Sequence, residues 1–245
     1  MKKRLDILVS EKKDLSRAKA QAMIMAGQVF VDGTLASKAG AEFDESKKIE
    51  IKDLFPYVSR GALKIEKAYQ DFNINFKDKV ACDIGASTGG FTDFALQNGA
   101  KKVYAIDVGY GQLAQKLREN DRVVVMERTN IRDVSDLPEK IDIFIIDVSF
   151  ISLKKVLPQI LTIIRNSKFE IRNSSVISLV KPQFEVGKKI ADKFKGVIKD
   201  EKIQESVLKD IISYAENLGF KLKNKTTSPI KGTKGNREYL IHLIY

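Results

Sequence analysis

Two charged residues of this chain directly follow apolar runs that have the composition of buried strands. Asp147 comes after DIFII, and Lys181 comes after VISLV. A charge in such a place is costly unless it has a purpose. Lys64, in SRGALK, and Glu238, in NREYL, are candidates to join them. Taken singly, Lys64 could be a solvated helix lysine and Glu238 could form an ordinary salt bridge on an edge strand.

Together, two lysines and two carboxylates could remove a proton from a poor nucleophile such as a hydroxyl group. Lysine has a reference pKa of about 10.4, so its pKa must fall by about two units before it acts as a base near pH 7. Burial and a cationic neighbour both lower that pKa, and a second lysine would be such a neighbour. The carboxylates would orient the two ammonium groups and compensate their charge.

The stretch ACDIGASTGGF has the pattern of a buried strand, a glycine turn and a helix start. Glycines let the backbone approach a ligand closely at such a turn, where helix N–H groups also point. The dinucleotide pattern GxGxxG is not met, because Ser87 stands in place of the second glycine and would crowd a pyrophosphate. About twenty residues further on, Asp107 ends the next predicted strand and could accept both hydroxyls of a ribose.

This turn resembles the first motif of methyltransferases that bind S-adenosylmethionine, and the resemblance implies that cofactor. Thr129 and Asn130 follow the third predicted strand and would then flank the adenine. Alternatively, Asp107 could cap a helix or turn, and Asn130 could be a plain loop residue. The candidate cofactor-binding residues are Asp83, Gly85, Ala86, Ser87, Gly89, Gly90, Phe91, Asp107, Thr129 and Asn130.

The residues also limit the methyl acceptor. Methylation at carbon five of a pyrimidine needs a cysteine nucleophile, but Cys82, the only cysteine, precedes the glycine turn. Methylation of an amino group usually goes with an Asn/Asp-Pro-Pro-Tyr run after the fourth strand, where this chain has DVSF. A hydroxyl group that a lysine deprotonates is the acceptor that remains.

The elements around these residues alternate between strands and helices. This alternation predicts an α/β, Rossmann-like fold with a mostly parallel sheet and helices on both faces, spanning residues 61–245 after a linker at 56–60. Runs rich in Val and Ile predict strands at 80–84, 102–106, 122–126, 142–146, 174–180, 220–222 and 239–244. Helices are predicted at 61–72 and, from its amphipathic period, at 200–218.

Residues 1–55 have the pattern of a separate α+β module. Two short helices are predicted, the second capped by Ser16 and ended by Gly27, followed by strands at 28–31 and 48–51. The pattern resembles the RNA-binding module shared by a ribosomal small-subunit protein and several pseudouridine synthases.

The charge of the chain supports a polyanionic partner. It has 43 Lys and Arg against 32 Asp and Glu, a formal net charge of +11, which favours a nucleic acid over an acidic membrane surface. A general bias towards basic residues would give the same number. The candidate RNA-binding residues are Arg4, Lys12, Lys13, Arg17, Lys19, Arg60, Lys188 and Lys189.

Several classes of protein are disfavoured. A single cysteine leaves no disulfide framework or cysteine-rich zinc site, and a single histidine leaves little for a Ser-His-Asp triad or an HExxH motif, so no metal site is predicted. No apolar run approaches the roughly 18 residues of a membrane span, and Asp6 interrupts the N-terminal apolar run, so no signal peptide is predicted. The expectation is a cytoplasmic protein without a membrane partner.

In combination, SRGALK, DIGASTGGF, DVSF, LVKPQFE and NREYL resemble the ribose 2′-O-methyltransferases of the FtsJ type. With the N-terminal module, the whole chain resembles the TlyA family, whose members are sometimes labelled haemolysins. The resemblance implies S-adenosylmethionine as the donor and the ribose 2′-hydroxyl of a cytidine in ribosomal RNA as the acceptor. It also implies a catalytic tetrad of Lys64, Asp147, Lys181 and Glu238, with Lys181 as the base, and ribosomal RNA or a ribosomal subunit as the partner.

Members of the TlyA family that modify both ribosomal subunits tend to carry longer termini, whereas this chain starts almost directly at the first helix of the RNA-binding module. The resemblance therefore implies large-subunit RNA as the target. Two other interpretations stay open at this point. The chain could be a nonenzymatic ribosome-binding or assembly factor that kept the fold, or a membrane-lytic haemolysin.

Overall fold

The computed structural model describes residues 2–25, 28–36, 38–51, 56–167, 174–232 and 235–245. The chain divides into two compact units, Met1–Pro56 and Tyr57–Tyr245.

The N-terminal unit contains helices and short strands. Its elements are β1 (Lys2–Arg4), α1 (Leu5–Lys13), α2 (Arg17–Met25), β2 (Val29–Val31), β3 (Thr34–Leu35), β4 (Glu42–Asp44) and β5 (Ile49–Ile51). Strands β3, β2 and β5 form one antiparallel sheet, and β1 pairs with β4. Apolar residues of α1, α2 and β2 form the core, with Leu5, Val9, Ala20, Ile24 and Val29 fully buried.

The two predicted helices and the two predicted strands of this unit are confirmed. The hydroxyl of Ser16 accepts the backbone N–H of Lys19 at 3.4 Å, as a helix cap would. Gly27, which was predicted to end the second helix, lies outside the described residues.

The larger unit alternates strands and helices along the chain. Its elements are α3 (Ala62–Phe72), β6 (Val80–Ile84), α4 (Gly90–Gln97), β7 (Lys102–Ile106), α5 (Gln115–Arg118), β8 (Val123–Met126), β9 (Ile143–Ile146), α6 (Leu157–Asn166), β10 (Ser175–Val180), α7 (Pro182–Glu185), α8 (Lys188–Lys193), α9 (Glu201–Asn217), β11 (Lys221–Thr227) and β12 (Tyr239–Ile244). Short 3₁₀ turns lie at Ile131–Asp133 and Leu153–Lys155. The strand order is β11-β12-β10-β9-β6-β7-β8.

Helices cover both faces of this sheet. On one face, Ile160 of α6 and Ile211 of α9 are buried in the same cluster. On the other face, Ile65 of α3 and Phe94 of α4 are buried in a second cluster. The predicted α/β class is therefore confirmed. Across the described ranges, no helix has both the length and the apolar character that spanning a membrane requires.

The strand directions decide which residues can meet. Strands β10, β9, β6, β7 and β8 are parallel, so their carboxyl ends lie at one edge of the sheet. Ligands of such sheets bind at this edge. Strand β12 lies antiparallel between β10 and β11, so its first residues join the same edge.

The chain's single histidine provides a test of how the sheet is packed. His242 is 3% exposed, its ring stacks on Phe72 with centroids 5.8 Å apart, and its Nε2 is 3.2 Å from Ser175 Oγ. Burial lowers the pKa of His242 to about 4. An unfolded histidine has a pKa of about 6.5, so between these values only the unfolded chain takes up the proton.

We therefore expect His242 to destabilise the protein as the pH falls from 6.5 towards 4, by about 2–3 kcal/mol. His242→Phe keeps the ring stack and removes the titration, so its free energy of unfolding should fall less over this range. Urea unfolding of both proteins at pH 7 and pH 4.5 measures this difference. Identical losses in the two proteins would contradict the prediction.

Candidate active site

The four charged residues predicted to act together meet at the carboxyl edge of the larger unit's sheet. Asp147 lies between the two lysines, with Oδ1 2.5 Å from Lys181 Nζ and Oδ2 3.3 Å from Lys64 Nζ. Glu238 Oε2 is 2.7 Å from Lys64 Nζ. The side chains of Lys64, Lys181 and Glu238 are buried. The structure therefore joins all four in one chain of ion pairs.

Sheet topology explains three of these positions. Asp147 directly follows β9 and Lys181 directly follows β10, and these two strands pair in parallel. Glu238 precedes β12, whose first residue, Tyr239, pairs with Val180 at the end of β10. Helix α3 supplies the remaining lysine from the face on which it packs. Neighbouring strands thus bring together residues that are far apart in the sequence.

The charges of the four groups are set by burial and by each other. Burial lowers the pKa of Lys64, but the nearby carboxylates of Asp147 and Glu238 outweigh this effect, so the pKa lies above its ordinary value. Burial raises the pKa of Asp147, but the ammonium groups of Lys181 and Lys64 outweigh it and hold the pKa below its ordinary value. Lys64 is therefore cationic and Asp147 anionic at neutral pH, and Lys181 has the cationic neighbour that the sequence predicts.

The glycine turn between β6 and α4 has left-handed backbone, with φ of 82° at Gly85 and 96° at Gly89. A Cβ on Gly85 would lie 2.7 Å from the carbonyl oxygen of Asp147, and one on Gly89 would overlap Leu117 Cδ1. Close approach of a ligand is the role that the sequence predicts for these glycines. In the structure, the missing side chains also leave room for neighbouring parts of the chain. The loop that carries Asp147 packs against Gly85, and Leu117 packs against Gly89.

We expect Gly85→Ala to lower the free energy of unfolding by about 2–4 kcal/mol, because it combines backbone strain with a clash. Gly111→Ala is a matched control, since Gly111 has a φ of 70° but no atom within 4 Å of an added Cβ. The control should cost only the strain of the left-handed backbone, about 1 kcal/mol. Equal losses in urea unfolding would contradict the role assigned to the contact with Asp147.

Asp83, at the end of β6, is 1% exposed and has one oxygen to spare. Its Oδ2 accepts hydrogen bonds from the backbone N–H of Thr92 at 2.9 Å and from the Thr92 hydroxyl at 2.6 Å, which fixes the first turn of α4. Its Oδ1 is buried and has no hydrogen-bond partner among the described residues. Burial raises the pKa of Asp83 to about 7. A ligand with a positively charged donor would satisfy this oxygen.

Asp107, Thr129 and Asn130 lie together at the ends of β7 and β8. The Oδ2 atom of Asp107 accepts the backbone N–H of Ser87 at 2.8 Å, which fastens the glycine turn to β7. Asn130 Oδ1 accepts the backbone N–H of Arg132 at 3.1 Å and so caps a 3₁₀ turn. Carboxylate and amide oxygens have more than one lone pair, so both side chains can accept a further hydrogen bond from a ligand.

Two cavities, of about 890 Å³ and 210 Å³, open at this edge of the sheet. Residues Gly85, Ser87, Asp147 and Ser149 line both of them. Among the predicted cofactor residues, the smaller cavity is lined by Asp83, Gly85, Ala86, Ser87, Gly90 and Phe91, and the larger one by Gly85, Ser87, Asp107, Thr129 and Asn130. Gly89 lines neither. Lys181 lines the smaller cavity, and its partner Asp147 lines both cavities.

Three residues of this region were not predicted. Ser149 Oγ accepts a hydrogen bond from Lys181 Nζ at 3.0 Å. Phe150 is 91% exposed with a φ of 65°, and its ring lies 5.0 Å from that of Phe184. The ring of Phe184 also lies 5.9 Å from Lys181 Nζ. The motifs DVSF and LVKPQFE contain these residues, so the signal was present, but only the fold shows that the two motifs face each other.

The basic residues predicted to bind RNA differ in how they are held. Asp6, fully buried, accepts hydrogen bonds from both Arg4 and Arg17, at 2.9–3.1 Å, so both guanidinium groups have fixed positions. Lys12 donates to the carbonyl oxygen of Ile49 at 2.6 Å.

The remaining residues that were predicted to bind RNA fall into two groups. Lys13, Lys19 and Arg60 are exposed. The side chains of Lys188 and Lys189 lie outside the described part of the structure.

Residues 57–245 match the family described as FtsJ-like methyltransferase, and residues 3–49 match the S4 domain. The chain belongs to the FtsJ-like methyltransferase family. Its larger unit is thus a methyltransferase domain, and this domain contains the four linked residues Lys64, Asp147, Lys181 and Glu238.

Relatives of this FtsJ-like methyltransferase cover nearly the whole chain. A candidate rRNA methyltransferase, YqxC of Bacillus subtilis (strain 168), is 47% identical over 99% of this chain and 85% of its own length. The 16S/23S rRNA (cytidine-2'-O)-methyltransferase TlyA of Mycobacterium tuberculosis is 38% identical over 93% of this chain and 84% of its own length. A solved structure of a candidate hemolysin from Streptococcus thermophilus is 41% identical, with a TM-score of 0.73, over 99% of this chain and 88% of that one.

Proposed function

We propose that this FtsJ-like methyltransferase transfers a methyl group from S-adenosylmethionine to the ribose 2′-hydroxyl of a cytidine in ribosomal RNA. The observation that carries the proposal is the position of Lys181. It lines the cavity that contains Asp83, and it is paired with Asp147, which lines both that cavity and the larger one. The name of the Mycobacterium tuberculosis relative describes this same reaction.

The residues at the glycine turn fit the proposed donor. The spare Oδ1 of Asp83 suits the ammonium group of the donor's amino acid end, and Asp107 suits the ribose hydroxyls. Thr129 and Asn130 would lie beside the adenine. When bound, the donor supplies an electrophilic methyl group on sulfur.

The tetrad would prepare the acceptor hydroxyl for attack. Lys181 Nζ would take the proton of the 2′-hydroxyl as the hydroxyl oxygen attacks the methyl carbon and the bond from that carbon to sulfur breaks. A base is needed because a neutral alcohol is a poor nucleophile. Lys64 remains cationic between Glu238 and Asp147, so it compensates the charge of both carboxylates. Asp147 orients Lys181 and stabilises the ammonium group once the proton has moved.

The remaining features would bind and present the RNA. The target ribose must reach Lys181. The target nucleotide would therefore flip out of the RNA into the larger cavity, which Phe150 and Phe184 line. Residues 1–55 would hold the RNA backbone through the arginines that Asp6 fixes, residues 56–60 would act as the linker, and residues 61–245 would carry out the transfer.

The test is to map ribose methylation on 16S and 23S ribosomal RNA from cells with and without this protein. We expect at least one cytidine to lose its 2′-O-methyl group, and purified protein with S-adenosylmethionine to restore it on RNA or subunits from the deficient cells. The affected RNA species identifies the target subunit. Unchanged methylation in both species, together with retained RNA binding, would instead support a nonenzymatic ribosome-binding factor.

A further inference from the structure

Glu185, the last residue of the LVKPQFE motif, makes two long-range hydrogen bonds that play no part in the tetrad. Its Oε2 accepts the hydroxyl hydrogen of Ser152 at 2.5 Å, and its Oε1 accepts the backbone N–H of Leu153 at 2.9 Å. Burial raises the pKa of this carboxyl group, and the hydrogen bonds from Ser152 and Leu153 only partly oppose that rise. Both bonds join α7 to the loop that follows β9.

The two segments joined in this way carry the proposed base and its acid partner. The first segment runs from Lys181 to Glu185, and the second runs from Asp147 to Leu153. At their beginnings, next to the sheet, the segments are tied by the contact between Lys181 and Asp147. At their far ends they are tied by Glu185.

Between these two ties lies the aromatic pair Phe150 and Phe184, of which Phe150 is exposed and Phe184 is partly buried. Phe150 is 91% exposed and adopts a left-handed φ of 65°, so burial of its own side chain does little to hold its part of the loop. Phe184 immediately precedes Glu185, and its ring lies 5.0 Å from that of Phe150. Glu185 therefore fixes the distance between two walls of the larger cavity that would otherwise depend on a solvent-exposed contact.

We infer that Glu185 is a positioning residue for methyl transfer: it locks the Asp147–Leu153 loop against the Lys181–Glu185 segment and so sets the place of the acceptor relative to Lys181. The inference rests on the proposed function. It predicts a specific kinetic effect, because small misplacements of reacting groups reduce the rate of the chemical step far more than binding.

The experiment compares Glu185→Ala with Glu185→Gln in the full chain, with ribosomal RNA or subunits as substrate. For Glu185→Ala we expect kcat, per site that binds S-adenosylmethionine, to fall by about 10- to 100-fold, with KM for RNA and the Kd of the donor changed less than about threefold. Gln can accept from Leu153 and donate to Ser152 Oγ, so it should recover kcat to within about threefold. Glu201→Ala, which removes an exposed carboxylate paired with Arg237, is the control and should leave kcat unchanged.

A purely structural role would lower the number of donor-binding sites or the Tm, with kcat per site unchanged, and that result would overturn the inference. A Gln variant as slow as the Ala variant would overturn it too. If Glu185→Ala does not fold, Ser152→Ala removes one of the two bonds and should lower kcat by about three- to tenfold; an unchanged kcat there counts against the inference. A wild-type protein that transfers no methyl group to either RNA would refute the proposed function itself, which separates the two failures.

Discussion

Lys181→Met is expected to lower kcat for methyl transfer by about 10³-fold, because general-base catalysis typically contributes 10²- to 10⁴-fold. Methionine fills much of the lysine's volume but cannot accept a proton. Asp147 keeps Lys64 as a partner in this variant, so its partly buried carboxylate is not left without compensation. The donor and RNA sites are unchanged, and both affinities should stay within about threefold of wild type. Single-turnover transfer from radiolabelled S-adenosylmethionine, with separate binding titrations, measures these quantities.

Lys209→Met is the matched control for this variant, since Lys209 is an exposed lysine on α9, and it should transfer at the wild-type rate. Full transfer by Lys181→Met would show that another group takes the proton. Loss of donor binding in Lys181→Met would show that Lys181 belongs to the cofactor site instead.

Asp147→Asn is expected to have the second large effect, on stability as well as on activity. The amide has nearly the same shape but no charge, so Lys181 and Lys64 lose the carboxylate they share. Breaking a buried ion pair from one side costs about 3–5 kcal/mol. The carboxylate of Asp147 raises the pKa of Lys64, so that pKa should fall in the variant. We expect kcat to fall by about 10²- to 10³-fold as Lys181 loses its orientation.

The stability loss should depend on pH with a definite sign. The pKa of Asp147 is held below its ordinary value in the folded protein, so its contribution is complete above the unfolded pKa, about 3.9, and disappears as the pH falls through the lower folded value. The difference between wild type and Asp147→Asn should therefore be constant near neutral pH and shrink in acid. Asp121→Asn, at an exposed aspartate, is the control. A variant as stable as wild type at pH 7 would contradict the shared ion pair.

Much of the sheet could be predicted from local sequence, because strands buried on both faces must be apolar throughout. The predictions at 80–84, 102–106 and 239–244 match β6, β7 and β12 at both ends. Strand β11 extends to Thr227, well beyond the predicted end at residue 222. Its Lys, Asn and Thr residues carry no apolar signal, since an edge strand is defined by pairing with its neighbour rather than by burial. Strands β1 and β4 escaped prediction for the same reason.

The site residues that directly follow a buried strand could be predicted from the sequence. Asp147 and Lys181 stood out because charge follows apolar runs, and parallel strands bring such residues to one edge. The antiparallel insertion of β12, which delivers Glu238, leaves no local mark in the sequence. Neither does the sharing of Asp147 between two lysines, nor the spare oxygen of Asp83, because both arise from contacts between distant segments.

The placement of β12 between β10 and β11 has a consequence for biogenesis. A ribosome that has translated the chain as far as residue 227 has produced both neighbours of β12 but not the strand that belongs between them. Until residues 238–244 emerge, Lys64 lacks its tightest partner and β10 presents an unpaired edge. The group of four charged residues is therefore completed only by the last strand to be made, and the edge of β10 stays exposed throughout that interval.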